Sequence, residues 1–236
     1  QAAIAVFSTL LLWPFFGFNI WGLALSTMLT VVIALHELGH LAAYRAFGHE
    51  RVRMIFIPLL GGVAIGSRPY NSLFEVAVCA LMGAGLSAFL VPILIAISVT
   101  GGQVEALQGL APPAMTLLLI MAAFNFLNLL PMSRFDGGQV LRQVFPTRDA
   151  LMGASFLVTA AMLWTGWRCG IPLEALFGGL AVMLLLSLTG SGSVKPREAL
   201  DEMSGPERLM AGFGYYAALA IHGYGLVYAC EVIFTR

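Results

Sequence analysis

The chain has 236 residues, of which 59% are hydrophobic and 10% charged, and its mean hydropathy is +0.90. This balance lies far outside that of a soluble globular domain, so the sequence predicts an integral membrane protein. The 12 basic and 12 acidic residues cancel. Net charge therefore gives no reason to expect a nucleic acid or a generally acidic partner.

Apolar runs of about 20 residues, the length that crosses a bilayer, recur along the whole chain. We expect an all-α polytopic membrane protein with about six to seven transmembrane helices, in one membrane domain over residues 1–236. The predicted spans are 2–18, 20–47, 73–99, 115–130, 150–167, 173–188 and 209–234.

The second predicted span contains the sequence His-Glu-Leu-Gly-His at 36–40. On a helix, His36 and His40 lie on one face, so both imidazoles can bind a single tetrahedral zinc. Glu37 is then close enough to take a proton from an attacking water, whose pKa a bound zinc lowers to about 7. The alternative is two chance histidines, but an unpaired Glu in a membrane helix is costly and usually functional. A third ligand has to come from elsewhere.

The segment 51–66 is too short and too rich in glycine to span a membrane. Two β-favouring runs meet near Pro58 and Gly61-Gly62, which predicts a short hairpin. Because lipid does not tolerate exposed strand edges, this hairpin should re-enter the membrane only where protein or water covers it. Its edge could receive an extended substrate as an added strand, or it could be a plain connection. Spacing leaves both interpretations open.

The stretch from Asn128 to Gln139 follows the fourth predicted span. Pro131 ends or kinks the helix, and Gly137-Gly138 are expected to let the backbone turn tightly next to Asp136. Asp136 could cap that turn, or it could supply the missing metal ligand. The incomplete ligand set at the two histidines favours the metal ligand.

Other chemically capable residues are expected to be structural. His49 follows the second span among charged residues and is predicted to be a solvated interfacial histidine. His222 lies in the last apolar run and is predicted to be hydrogen-bonded within the fold. The cysteines, Cys79, Cys169 and Cys230, lie far apart without metal-site spacing, so we expect packing thiols.

Basic residues are distributed unevenly when the spans are threaded alternately through a bilayer. One side receives Arg45, Arg51, Arg53, Arg68, Arg134, Arg142, Arg148, Lys195, Arg197 and Arg208, and the other receives Arg168 and Arg236. This bias marks the first side as cytoplasmic. The histidine motif and Asp136 both fall near that side.

The two motifs together resemble those of the site-2 protease family of intramembrane zinc metalloproteases. The resemblance covers about residues 20–144, with His-Glu-Leu-Gly-His at 36–40 and Asn-x-x-Pro-x-x-x-Phe-Asp-Gly-Gly at 128–138. It implies a three-helix catalytic core over 20–144 with the re-entrant hairpin at 51–66, and accessory helices over 150–236. It also implies roles for seven residues: His36, His40 and Asp136 bind Zn²⁺, Glu37 activates water, and Asn128, Gly61 and Gly62 contact the substrate.

The implied activity is hydrolysis of a peptide bond in or near a transmembrane helix of a membrane-protein substrate. The expected setting is a lipid bilayer, the plasma membrane of a prokaryote, with the active site near its cytoplasmic side. No PDZ or CBS domain fits in the remaining lengths of this chain. The competing interpretations are a zinc-binding membrane transporter and a catalytically inactive protease-like scaffold. A transporter should show a continuous polar path and often an internal repeat, and the sequence shows neither.

Overall fold

The computed structural model describes residues 2–57, 61–190 and 200–234, which form a helical bundle and one small sheet. The helices are α1 (Ala2–Leu12), α2 (Ile20–Ala46), α3 (Leu73–Ala88), α4 (Leu90–Gln103), α5 (Ala111–Asn128), α6 (Asp136–Val144), α7 (Arg148–Arg168), α8 (Leu173–Gly190) and α9 (Gly205–Phe234). The strands are β1 (Arg53–Ile57) and β2 (Gly61–Ile65), and 3₁₀ turns precede α2 and α5. The predicted helical fold is therefore present.

Five helical segments in the described ranges are long and apolar enough to cross a membrane. They are Ile20–Ala46, Leu73–Gln103, Glu105–Asn128, Arg148–Arg168 and Gly205–Phe234. Two further apolar helices, Val6–Phe16 and Leu173–Val182, are shorter. The architecture is that of a helical membrane protein. Five long segments are fewer than the six to seven spans predicted, which would require the two shorter helices as well.

The predicted span 73–99 is divided into α3 and α4 at Phe89. Pro92 lies in the first turn of α4 and has no N–H to donate to the preceding helix. Because proline interrupts the hydrogen-bond ladder, the regular helix is broken there, although Phe89 keeps helical backbone angles of φ −67° and ψ −24°.

Strands β1 and β2 pair antiparallel, with Arg53 opposite Ile65 and Ile57 opposite Gly61. The residues that connect them, 58–60, lie outside the described residues, and the predicted turn at Pro58 falls there. The sheet contacts α1 and α2. The two predicted strands are thus positioned beside the helix that carries the histidine motif.

The main core lies where α3, α5, α6 and α9 meet. Its fully or nearly fully buried members include Ala77, Leu81, Ala84, Phe126, Leu129, Val140, Leu141, Tyr215 and Leu219. The Tyr215 hydroxyl donates a 2.6 Å hydrogen bond to the Leu129 carbonyl, which satisfies the one polar group that this tyrosine buries. Helix α9 is thereby fixed against the end of α5.

Helices α2 and α3 approach each other closely at the histidine motif. A Cβ on Gly39 would lie 1.9 Å from the Met82 carbonyl oxygen, and one on Gly83 would lie 2.5 Å from His40 Nε2. Only glycine fits at these positions, as is common where membrane helices pack backbone to backbone. The two histidine rings therefore lie directly over the backbone of α3.

His49 is buried, so its prediction as a solvated histidine is wrong. Its residue exposure is 1%. Its Nε2 lies 2.7 Å from Glu75 Oε1, and its Nδ1 accepts a 3.0 Å hydrogen bond from the Ser67 N–H. The loop after β2 and the first turn of α3 fold over the ring. The charged neighbours of His49 in sequence do not surround it in space.

The predictions for His222 and the cysteines can be compared with the described contacts. His222 is fully buried, and its Nε2 lies 3.0 Å from the Ala84 carbonyl oxygen. Its predicted hydrogen-bonded place in the fold is therefore confirmed. Cys79 and Cys230 are buried and Cys169 is partly exposed, and all three are free thiols.

Contacts at the two ends of α9 show which helix ends lie together. Near the start of α3, the Leu73 N–H donates to the Asp201 carbonyl at 3.0 Å, which brings the segment before α9 to the same end of the bundle. At the other end of α9, Glu231 forms an ion pair with Arg168 at the end of α7. The starts of α3 and α9 therefore lie at one end of the bundle, and the ends of α7 and α9 lie at the other.

We predict that Gly39→Ala destabilises the fold by about 1–3 kcal/mol, because the added methyl group meets a backbone carbonyl that cannot rotate away. Thermal unfolding of the purified protein in detergent measures the effect. Gly153→Ala is the matched control, since a Cβ there meets nothing within 4 Å. It should leave stability unchanged or raise it by about 0.5–1 kcal/mol. Equal unfolding temperatures for the two variants would contradict the packing described.

Candidate metal centre

Helix α2 positions the three residues of the histidine motif inside the protein. His36 and Glu37 are each 3% exposed and His40 is 9% exposed. Their spacing places His36 one turn before His40, and their Nε2 atoms lie 3.1 Å apart. The rings meet edge to face with centroids 4.7 Å apart. Both imidazoles therefore direct the same nitrogen to one point.

Asp136, the first residue of α6, reaches that point from another part of the chain. Its Oδ2 lies 3.1 Å from His36 Nε2 and 3.4 Å from His40 Nε2. Burial raises the pKa of the Asp136 carboxyl, but when the two imidazoles are protonated and donate to it they more than offset this effect and lower the pKa to about 2. Asp136 is thus a carboxylate at neutral pH, as a metal ligand requires.

Gly137 and Gly138 bring Asp136 into place by close packing. Both lie in the first turn of α6, and neither has a positive φ. The expectation that they form a tight turn is therefore wrong. A Cβ on Gly137 would lie 2.1 Å from the Leu129 carbonyl oxygen, and one on Gly138 would lie 1.9 Å from that of Met132. Their missing side chains let α6 begin directly against the end of α5.

The second nitrogen of each histidine ring is held by an oxygen atom. His36 Nδ1 lies 2.8 Å from Asn125 Oδ1, and His40 Nδ1 lies 2.7 Å from the Cys79 carbonyl oxygen. The Asn125 amide is oriented by its Nδ2, which donates to the Met121 carbonyl. Because both acceptors are oxygens, each Nδ1 carries a hydrogen, and in the neutral rings each Nε2 has a free lone pair. The lone pairs then point at each other and at Asp136.

These donor atoms fit a tetrahedral cation. Ligands about 2.0–2.2 Å from a zinc ion lie roughly 3.3–3.6 Å from each other, close to the 3.1, 3.1 and 3.4 Å separations here. Among the described residues, Glu37 Oε2 and Asp136 Oδ2 are buried without a hydrogen-bond partner. Acceptors that face one another need a cation or a shared proton between them. The donor set, two nitrogens and a carboxylate oxygen, suits zinc.

Glu37 lies beside the two histidines. One potential ligand atom from each of His36, Glu37 and His40 lies within 4.8 Å of the others. A metal could therefore be held by these three residues, or by the histidines with Asp136. In the second case Glu37 stays free to act on a neighbouring water. Asp136 Oδ2 lies 3.1 and 3.4 Å from the two Nε2 atoms, about the separation of two ligands on one tetrahedral ion, which favours the second arrangement.

A cavity of about 480 Å³ opens at this point. It is lined by His36, Glu37, His40, Ala64, Tyr70, Ala80, Phe124, Leu127, Asn128, Arg134, Phe135, Asp136 and Gln139. Asn128 thus faces the site, and its Nδ2 donates to the Phe124 carbonyl at 3.0 Å. Strand β2 reaches the cavity at Ala64, and Gly61 and Gly62 precede Ala64 on the same strand.

Sequence reasoning missed Asn125 and Tyr70. Asn125 is fully buried in an apolar helix one turn before Asn128. A buried amide is costly unless it is hydrogen-bonded, and each histidine of a metal site needs a partner for its second nitrogen. Together these two requirements could have identified Asn125. Nothing in the local sequence distinguishes Tyr70.

Comparisons of the chain with protein-family models, with curated proteins and with solved structures find no match. The resemblance to the site-2 protease family therefore rests on the two sequence motifs alone. The chemistry of the site follows from its own groups. Two imidazoles, two carboxylates and an adjoining cavity are together suited to hold a metal with one position open to a water or substrate.

We predict that Asn125→Ala weakens zinc binding about 10–100-fold, because His36 loses the acceptor that fixes its ring and tautomer. Competition with a chromophoric chelator measures the affinity. The matched control is Asn128→Ala, which removes an amide from the next turn of the same helix without touching either histidine partner. Its zinc affinity should equal that of the wild type. Equal affinities for both variants would rule out a metal-supporting role for Asn125.

Proposed function

We propose that this chain is an intramembrane zinc metalloprotease, a metalloendopeptidase that hydrolyses a peptide bond in or near a transmembrane helix of a membrane-protein substrate. One observation carries the proposal: His36 Nε2, His40 Nε2 and Asp136 Oδ2 converge to within 3.1–3.4 Å of each other. The convergence joins the two motifs on which the resemblance to the site-2 protease family depends.

His36, His40 and Asp136 would hold the Zn²⁺ in this proposal. Three protein ligands leave one tetrahedral position for water or substrate, as in catalytic zinc sites. When bound, the ion supplies Lewis acidity, which makes water acidic near neutral pH and polarises a scissile carbonyl. Asn125 and the Cys79 carbonyl keep the two imidazoles oriented for this purpose.

Glu37 acts as the general base. Its carboxylate lies next to the two histidines, and its Oε2 accepts no hydrogen bond from the described residues. It takes a proton from the attacking water and later delivers it to the leaving amine. The apolar surroundings strengthen its electrostatic interaction with a nearby cation.

The substrate binds the cavity as an extended segment. A transmembrane helix hides its amides in internal hydrogen bonds, so it has to unwind locally before attack. Strand β2 could pair with the freed groups. Gly61 and Gly62 would let the substrate backbone come close, and Asn128 would hold it near the metal. In this proposal the β1–β2 pair is the re-entrant hairpin.

The protein lies in a lipid bilayer with its active site near the cytoplasmic side. Helices α1 and α8 would complete the six to seven spans. Arg45 lies in the last turn of α2 and Arg68 lies before the start of α3, at the end of the bundle that would face the cytoplasm in this proposal. A prokaryotic plasma membrane is the proposed setting.

We predict that Glu37→Gln retains zinc but lowers the cleavage rate about 10²–10⁴-fold, because an amide cannot accept the proton from water. Cleavage of a model transmembrane substrate by the detergent-purified protein measures the rate, and metal analysis of the same sample measures zinc. A variant that cleaves at the wild-type rate would remove Glu37 from the mechanism.

We predict that Asp136→Ala loses both zinc affinity and cleavage, because two imidazoles alone do not complete a catalytic site. Zinc stoichiometry of the purified variant is the direct measurement. Asp149→Ala is a suitable control, since Asp149 lies exposed in the first turn of the next helix. Full zinc content in the Asp136 variant would show that the third ligand is another residue.

Zinc-dependent cleavage by the wild type, abolished in Glu37→Gln, separates the proposal from its rivals. A zinc transporter would move the ion across a vesicle membrane without cleaving the substrate. An inactive scaffold would bind a transmembrane partner and leave it intact with zinc present. Either result would overturn the proteolytic assignment.

A further inference from the structure

A second buried polar cluster lies beside the metal centre, and the proposed mechanism does not use it. It consists of His49 after α2, Arg68 after β2 and Glu75 in the first turn of α3. The side chains of His49 and Glu75 are 0% and 2% exposed, and that of Arg68 is 30% exposed. A carboxylate buried this deeply is stable only when its charge and its hydrogen bonds are satisfied.

The cluster satisfies both requirements. Arg68 Nη2 lies 3.0 Å from Glu75 Oε1, and Arg68 Nη1 donates to Glu75 Oε2 at 3.3 Å. The Ser67 N–H donates to His49 Nδ1, so that nitrogen carries no hydrogen of its own. The hydrogen of the ring is therefore on Nε2, which donates to Glu75 Oε1 at 2.7 Å.

These bonds attach the loop between β2 and α3 to two helices. Arg68 donates a 2.6 Å hydrogen bond to the Phe47 carbonyl at the end of α2. The Asn71 N–H donates to Glu75 Oε2 at 2.8 Å. A Cβ on Gly66 would lie 2.5 Å from His49 Nδ1, so the loop lies directly against the ring. The loop is thus held by side chains that lie before and after it in the sequence.

The same part of the chain forms one wall of the catalytic cavity. Ala64, which precedes Ser67, and Tyr70, which lies between Arg68 and Asn71, both line the cavity. The Tyr70 hydroxyl is hydrogen-bonded to that of Tyr44 on α2. The Tyr44 ring in turn meets the His49 ring edge to face, with centroids 4.9 Å apart. The cluster is therefore connected to the cavity wall by direct contacts.

We propose that His49, Arg68 and Glu75 are positioning residues, which set the place of the wall formed by Ala64 and Tyr70 opposite the metal centre. The inference rests on the proposed function for what the cavity binds. None of the three is among the described residues that line the cavity. They therefore act through the wall rather than on the substrate.

Glu75→Gln tests the proposal, because it keeps the size of the side chain but removes the charge that Arg68 compensates. In the purified protein at a temperature well below unfolding, hydrogen exchange at the Ser67 and Asn71 amides should speed up. KM for a transmembrane substrate should rise about 10-fold or more while kcat changes less, because contacts with a binding wall form before the transition state. Zinc content should stay at the wild-type level.

Glu50→Gln is the matched control, since Glu50 is exposed and next to His49 in sequence. It should leave KM, zinc content and exchange unchanged. If Glu75→Gln does not fold, Arg68→Gln replaces it, because Arg68 is partly exposed and its loss removes only one partner of Glu75. The same changes in exchange and KM are expected from it.

Wild-type exchange at Ser67 and Asn71 in a folded variant, or a wild-type KM, would overturn the positioning role. So would a loss of zinc in proportion to the loss of activity, which would indicate a general structural role instead. Failure of the proposed function has a different signature. The wild type itself would then cleave no substrate, while the exchange measurement would still report whether the cluster holds the loop.

Discussion

The structure depends on holding three hydrogen-bond acceptors face to face inside an apolar bundle. His36 Nε2, His40 Nε2 and Asp136 Oδ2 meet at 3.1–3.4 Å because Asn125 and the Cys79 carbonyl turn the opposite nitrogen of each ring away. In a medium of low dielectric, the lone pairs of these three atoms repel each other unless a cation or a proton lies between them. Under the proposed function, ion binding and packing of these helices would therefore be coupled, since an ion would contribute to folding whatever free energy it gains from the assembled site.

Helix α3 is the element that relates the parts of the site to each other. Its Gly83 lies under the histidine rings, and its Cys79 carbonyl accepts from His40. Its Glu75 binds His49 and Arg68, and its Ala84 carbonyl accepts from His222 on α9. Most of these contacts use backbone atoms or the absence of a side chain. They therefore require close packing along α3, and a shift of this helix would disturb both the two histidines and the loop that carries Arg68.

The parts of the site that were predictable from the sequence are those set by local periodicity or by ligand number. The spacing of His36 and His40 follows from one helical turn, and a catalytic zinc needs a third ligand, which singled out Asp136. His49 was predicted wrongly because Ser67 and Glu75 bury it. These residues are distant in sequence, and the strand pair and the loop after it bring them next to His49. Contacts between residues so far apart in the chain leave no periodic pattern in the sequence. The break at Phe89 was predictable in principle, since Pro92 is visible in the sequence.

The position of the motif along α2 limits where cleavage can occur under the proposed function. Helix α2 ends at Ala46, so at about 1.5 Å per residue His40 and His36 lie roughly 9 and 15 Å inside its end. Half the thickness of a bilayer core is about 15 Å. The polar side chains of Arg134 and Gln139 line the same cavity, and under the proposed function they would admit water from that end of the bundle. A scissile bond would then lie between the membrane surface and its midplane, where a substrate helix loses fewer internal hydrogen bonds when it unwinds from its nearer end.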